Sequence, residues 1–136
     1  MATMIAEGLF RVEGDRAVLL GSRRRSSGAV KFPAEHAELL EGIDEVQPIE
    51  LSTEGKLFTF TTQEFVPPLP YRGKRGDEFR PYLVGFVELA EGLLVETLIV
   101  GAQPDDLRIG QRLISTTTVF ETDDGKSLLT YAFRPA

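Results

Sequence analysis

Few of the 136 residues carry chemistry that can act alone. His36 is the sole histidine and cysteine is absent, so any Ser–His pair would have to use His36. No Gly-x-Ser-x-Gly stands near it. Its acidic neighbours and its place in a stretch that reads as a short helix make it a surface group rather than a catalytic base. Asp123-Asp124-Gly125 opens like a calcium loop, but the downstream bidentate acid is missing, and the three residues read as a turn. Glycines around Gly21 and Gly28 do not have phosphate-loop spacing. Carboxylate pairs such as Asp105-Asp106, or Glu38 with Glu41, are ordinary surface features that define no site alone. Lack of cysteine also excludes disulfides and thiolate metal ligands. The expectation is therefore no catalytic residue and no metal.

What remains is charge suited to binding. Arg23-Arg24-Arg25 forms one basic cluster; Arg72, Lys74, Arg75 and Arg80 form another. Each reads either as a solvated loop or as a contact for an anionic group. The whole chain is acidic, with a net charge of −6, which opposes generic binding to nucleic acid. The second cluster lies in Val66 to Pro81, a loop with four prolines and four basic residues. Structureless loops of that length are uncommon unless they do something.

The elements that must position these residues are strands. Tyr82 to Gly101 holds two apolar runs that meet at Ala90-Glu91-Gly92. Glu88 and Glu96 inside those runs are poor candidates for a buried face. A three-residue loop sends both outward, pairing Leu83 with Ile99, Gly85 with Thr97, Val87 with Val95 and Leu89 with Leu93; a two-residue loop would split them between faces. Gly92 then takes a positive φ, and Gly85 in mid-strand signals a bend or a close backbone approach. Lys56 to Phe65 alternates, with Phe58 and Phe60 on one face and reading as core. Gln111 to Phe120 and Ser127 to Arg134 complete five strands, and Pro104 to Ile109 can form one helical turn before Gly110. Upstream, Leu9 to Leu20 reads as a small hairpin about a Glu-Gly-Asp turn. Gly21 to Phe32 is polar at first, then a short strand over Ala29 to Phe32. Pro33 to Glu41 reads as a short helix ended by Gly42. Ile43 to Glu50 reads as a linker, because Pro48 interrupts a strand. The predicted class is mainly β: a small N-terminal segment over residues 1–49, then a five-stranded OB-type barrel over 50–136. A small open sandwich is the alternative.

Gly21 to Gly42 reads GSRRRSSGAVKFPAEHAELLEG. It resembles the N-terminal rubredoxin-like zinc ribbon of the acyl-CoA-associated OB-fold family, in which Gly-Ser-Arg-Cys-x-x-Cys-Gly is followed by Phe-Pro and Cys-Pro-x-Cys-Gly. Gly21-Ser22-Arg23, Gly28, Phe32-Pro33 and Gly42 stand where that pattern wants them. Gly55, Phe58 and Thr61, Val87-Glu88-Leu89, Asp106 to Gly110 and Phe133-Arg134-Pro135 extend the likeness over nearly the whole chain. The four cysteine positions of the family fall on Arg24, Ser27, Glu38 and Glu41. A tetrahedral zinc site needs thiolate or imidazole donors, and a guanidinium repels the ion, so no zinc is expected. Arg24 is expected to lie near Glu38 or Glu41, as a salt bridge in the metal's place; the plainer alternative is unrelated surface charges. A surface ion pair supplies far less than structural zinc, so packing, the Pro33–Glu41 helix or a partner must hold the remnant.

The resemblance implies a non-catalytic accessory subunit. It would dock on a thiolase-like or other acyl-CoA enzyme and help bind or channel acyl-CoA thioesters. The residues expected to touch CoA or the partner are Arg23, Arg25, Lys31, Phe32, Tyr71, Arg72, Lys74 and Arg75. Acyl-CoA is the one small ligand implied, with no membrane and no nucleic acid. Two rivals stay open: an OB-fold binder of single-stranded nucleic acid, which needs aromatic stacking on a basic face, and a free-standing acyl-CoA or lipid carrier. The N-terminal residues show no basic leader or long apolar segment, and a cytoplasmic location is expected.

Overall fold

The computed structural model describes residues 3–4 (as backbone), 8–67 and 73–136. Its strands are β1 (Thr3–Met4), β2 (Phe10–Glu13), β3 (Arg16–Arg24), β4 (Val30–Lys31), β5 (Val46–Glu50), β6 (Glu54–Gln63), β7 (Tyr82–Leu89), β8 (Leu94–Ile99), β9 (Arg112–Glu121) and β10 (Ser127–Pro135). β6, β7 and β8 form an antiparallel meander. β8 runs parallel to β10, β10 pairs antiparallel with β9, and β9 returns to β6. The ring closes as a five-stranded OB-type barrel, which leaves no free edge among these strands. β1 lies parallel along β10 beside Leu128 and Leu129.

The β7–β8 hairpin has the register expected of a three-residue loop. Leu83 faces Ile99, Gly85 faces Thr97 and Val87 faces Val95, while the Leu89 N–H donates to the Leu93 carbonyl at 2.9 Å. Gly92 sits at φ +82°, and Glu88 and Glu96 are both exposed. Gly85 is required by close approach: a Cβ there would lie 2.5 Å from Ile99 Cδ1 and 2.8 Å from the Thr59 carbonyl oxygen.

Phe58 departs from expectation. The β6–β7 register slips between Leu57, opposite Val87, and Thr59, opposite Phe86. Phe58 is the extra residue of this bulge and is 52% exposed, whereas Leu57 is buried and Phe60 packs against the core. An inserted residue flips the alternation from that point on.

The N-terminal strands make a second sheet centred on β3, with β2 and then β4 on one edge and β5 on the other. The expected hairpin is present, with Glu13 opposite Arg16. Two other readings are corrected. Gly21 to Arg24 continues β3 instead of forming a polar loop, and Val46–Glu50 is a strand, not a linker. The Arg25 N–H donates to the Glu45 carbonyl and the Leu51 N–H to the Leu19 carbonyl. Odd-numbered residues of β3 and β5 therefore form the bonded pairs, and Pro48, opposite Ser22, falls where its nitrogen faces away from β3. An edge strand tolerates proline at such a position. The short helix also shrinks, to a single 3-10 turn over Ala37–Leu40. No residue of that turn is buried and Leu39 is 72% exposed, so no packed face extends it.

One hydrophobic cluster serves both sheets. Phe10, Ala17 and Leu19 of the small sheet pack with Leu57, Val87, Val95, Leu113 and Phe133 of the barrel. Tyr131 meets Phe10 and Phe32 edge-on at ring-centroid distances of 6.0 and 5.5 Å, and its hydroxyl donates to the Glu96 carbonyl at 3.0 Å. Burial pushes the Tyr131 phenol upward from its ordinary value. Among the described residues no helix is long and apolar enough to cross a membrane.

Candidate ligand and docking site

The long β6–β7 connection and the β9–β10 turn meet at one end of the barrel, tied by a bridge between Gly73 and Thr122. This is the end at which OB folds take ligands. Beside the bridge lies a cleft of about 350 Å³, with Pro81, Tyr82, Leu98, Val100 and Phe120 among its apolar walls and Lys74, Glu78, Arg80 and Glu121 as its charged lining. Arg80 Nη1 donates to the carbonyls of Asp77 and Phe79 at 2.7 and 2.9 Å, which fixes the 3-10 turn Gly76–Glu78. Lys74 Nζ lies 3.6 Å from Glu78. In the opposite turn the buried Thr122 hydroxyl donates to Asp124 and accepts the Lys126 N–H at 2.9 Å. That hydroxyl contact holds the Asp124 carboxyl below its ordinary range. Apolar walls with charged groups of both signs can receive an amphiphilic ligand.

The structure divides the predicted contact residues. Lys74 lines the cleft, and Arg75 is partly buried just before the 3-10 turn. Tyr71 and Arg72 lie outside the described residues. Arg23 and Lys31 stand on strands of the small sheet, and Arg25 follows directly on β3. Arg23 is exposed opposite Val30 and Gln47. Arg25 Nη1 contacts Glu45 at 2.7 Å. Phe32 packs against Tyr131 and serves as a tether between the sheets.

The expected partner of Arg24 is also corrected. Its guanidinium grips Glu35, not Glu38 or Glu41, with Nε to Oε1 at 3.0 Å and Nη2 to Oε2 at 2.8 Å. The Glu35 N–H donates to the buried Ser22 hydroxyl at 2.9 Å. Ser22 and Arg24 are two apart on β3 and so share a face; both act on the strap that follows β4. The Arg24 hydrogen bond is the main cause that holds the Glu35 carboxyl below its ordinary range. Glu38 is exposed, 3.8 Å from His36 Nδ1, and Glu41 is exposed as well. Ser27 Oγ accepts the Ala29 N–H at 3.2 Å and closes the local turn. Nearby, the Ser26 hydroxyl donates to Asp44 at 2.7 Å and keeps that carboxyl low too. Sequence reasoning missed Glu35; the two-residue spacing of Ser22 and Arg24 was the available signal.

Residues 48–118, from β5 into β9, match the family model described as ChsH2, C-terminal OB-fold domain. The chain belongs to this family. Within the ChsH2-type domain the matched residues begin after the ribbon-like stretch Gly21 to Gly42. The chain is also similar to a DUF35 domain-containing scaffold protein of Methanocaldococcus jannaschii, 27% identical over 121 residues, covering 88% of this chain and 82% of the relative. Among solved structures it resembles a chain of the Ltp2-ChsH2(DUF35) aldolase, with a TM-score of 0.58 and 24% identity over 87% of this chain and 84% of that one. That last likeness is one of fold.

Proposed function

We propose that this protein is a non-catalytic accessory subunit that docks on a thiolase-like or related acyl-CoA enzyme and helps bind or channel acyl-CoA thioesters. The observation that carries the reading is the likeness along 88% of the chain to a relative named a scaffold protein, set within the ChsH2-type OB-fold family. The cleft supports it chemically. Lys74 and Arg80, which line it beside Glu78 and Glu121, can meet the phosphates of CoA, with Tyr71, Arg72 and Arg75 next to Lys74 in the sequence, while the apolar walls receive the thioester arm. Arg23, Arg25 and Lys31 offer a second cationic surface on the small sheet. No zinc enters the reading, because Arg24, Ser27, Glu38 and Glu41 are unsuited to hold it, and the protein would work in the cytoplasm. Against the nucleic-acid rival, the outward faces of β7 and β8 carry Glu88 and Glu96, and the chain bears −6 overall.

The test is affinity purification of the tagged full-length chain from its native source, with mass spectrometry and assay of the enzyme that comes with it. An acyl-CoA enzyme that copurifies in fixed ratio, and loses turnover when this chain is removed, is the expected result. A chain that stays alone, or one melted to higher temperature by acyl-CoA with no partner present, points to the free-standing carrier instead.

A further inference from the structure

The outer face of β7 and β8 is more apolar than a solvated sheet's, although β6 beside it turns Lys56, Thr59, Thr61 and Gln63 outward. An antiparallel sheet with one face in a core usually turns a polar face outward. On β7 the inward residues Leu83, Gly85, Val87 and Leu89 are all buried, yet the outward series is Tyr82, Val84, Phe86, Glu88. β8 adds Leu94, opposite Glu88, and Leu98, opposite Val84. The bulge in β6 turns Phe58 out beside them. Phe58 is 52%, Leu94 41% and Phe86 37% exposed. Two shallow grooves of about 380 and 410 Å³ flank this column, and Tyr82, Val84 and Glu96 line both.

The charges select the occupant. Glu96 sits opposite Phe86 in the middle of the apolar column. Among the described residues its carboxylate has no ion pair and no hydrogen bond; the Tyr131 hydroxyl goes to its backbone carbonyl. Covering this face with another apolar surface would strand a carboxylate, at a cost far larger than the apolar contact gains, unless the incoming surface brings a cation. Glu88 faces Lys56 across the β6–β7 ladder, whereas Glu96 faces Phe86, so it is Glu96 that repels a phosphodiester backbone here. A second copy brings the same acids and its own charge of −6. We infer that the outward face of β7, with Phe58 and Glu96 beside it, is a protein-docking surface whose partner presents an apolar strip with an arginine or lysine placed to meet Glu96. The proposal rests on the accessory-subunit reading only for the partner's identity.

The test places the photo-crosslinking residue p-benzoylphenylalanine at position 86 of the full chain, and at position 43 as a control, in cells of the native source. The expected result is a single protein adduct from position 86, mapped by mass spectrometry to an apolar segment that carries an arginine or lysine. Position 43 gives no adduct with that protein. Glu96→Lys lowers the yield about tenfold, as loss of a buried charge pair does, while the purified variant keeps the parent's melting temperature. No protein adduct at 86, an adduct only to a second copy or to nucleic acid, or a yield indifferent to Glu96→Lys would overturn the proposal. If the mapped partner is not an acyl-CoA enzyme, the surface stands and the accessory reading fails. If an acyl-CoA enzyme copurifies but no adduct forms at 86, the reverse holds.

Discussion

The barrel and the excursion between β3 and β5 are held by different forces. In the barrel, Leu57, Val87, Val95, Leu113 and Phe133 are almost fully removed from water, and each strand is hydrogen-bonded on both sides within the ring. Residues 25–45 contain no fully buried residue, although Val30 and Phe32 pack against the shared cluster. Leu39 and Ile43 are 72% and 78% exposed, and the segment is pinned by Arg24–Glu35, Arg25–Glu45, Ser26–Asp44 and the Ser22–Glu35 contact. Apolar burial is indifferent to pH and strengthened by salting-out salts, whereas surface ion pairs are screened by salt and titrate away. One small protein thus contains a part whose stability is global and a part whose order is local and conditional. A stretch resembling a zinc ribbon without its thiolates is where the conditional part lies.

The largest effect should come from the barrel's centre. Phe133→Ala empties a fully buried site in the shared cluster and is expected to cost about 3–5 kcal/mol, measured by urea unfolding. Both sheets should unfold in one transition, because Phe10, Ala17 and Leu19 lose the same cluster; a surviving folded subset would break the picture of one core. Gly85→Ala comes next, at about 1–3 kcal/mol from overpacking. Its methyl would meet Ile99 Cδ1 at 2.5 Å and the Thr59 carbonyl at 2.8 Å. Adding Ile99→Val should restore only part of the loss, since the carbonyl contact remains.

The same division governs what can be read in the sequence. The β7–β8 register was legible because two acids in an apolar hairpin leave one loop length that keeps both outside. Strand existence is legible in the alternation; OB closure fits the strand count and the family resemblance, with a small open sandwich as the alternative until the β6–β9 and β8–β10 pairings are seen. Phe58 was misplaced because a bulge leaves no mark in a period-two pattern until its partner strand is known. Pro48 reads as a breaker in the sequence because its tolerance depends on which edge of β3 it faces, a fact set by register. The helix over Pro33–Glu41 was over-read: its composition favours helix, but a helix this short needs a buried face, and Leu39 has nothing to pack against. For the site, loop length pointed to the cleft that Lys74 borders, while the partner of Arg24 is fixed by the strap that folds back across Ser22.

Glu35→Gln sharpens the comparison from the other side. Amide exchange across residues 25–45 should quicken a few-fold while β6 to β10 keep their protection, since only the local opening changes. The pH dependence has a definite sign. Glu35 and Asp44 both have folded-state values below their ordinary ones, so their contribution is whole above the ordinary carboxylate range of about 4 and is lost as pH falls through the depressed values. Acid titration followed by exchange or NMR should show residues 25–45 opening before the barrel does, and Glu35→Gln should remove part of that pH dependence. Simultaneous loss of both regions would mean that they are one cooperative unit.

The smallest effect is the most diagnostic for the ribbon-like stretch. Glu38→Gln combined with Glu41→Gln alters two exposed carboxylates that do not contact Arg24. Surface changes away from a specific contact stay within about 0.5 kcal/mol, and exchange over residues 25–45 should match the parent's. Were Arg24 paired to either acid in solution, the double substitution would loosen the segment as much as Glu35→Gln does. The two experiments together therefore decide which carboxylate the guanidinium holds. Their ranking also separates two accounts of the stretch: a geometric substitute for a metal would use the positions that resemble ligand sites, whereas a new fastening uses whichever acid the strap after β4 delivers.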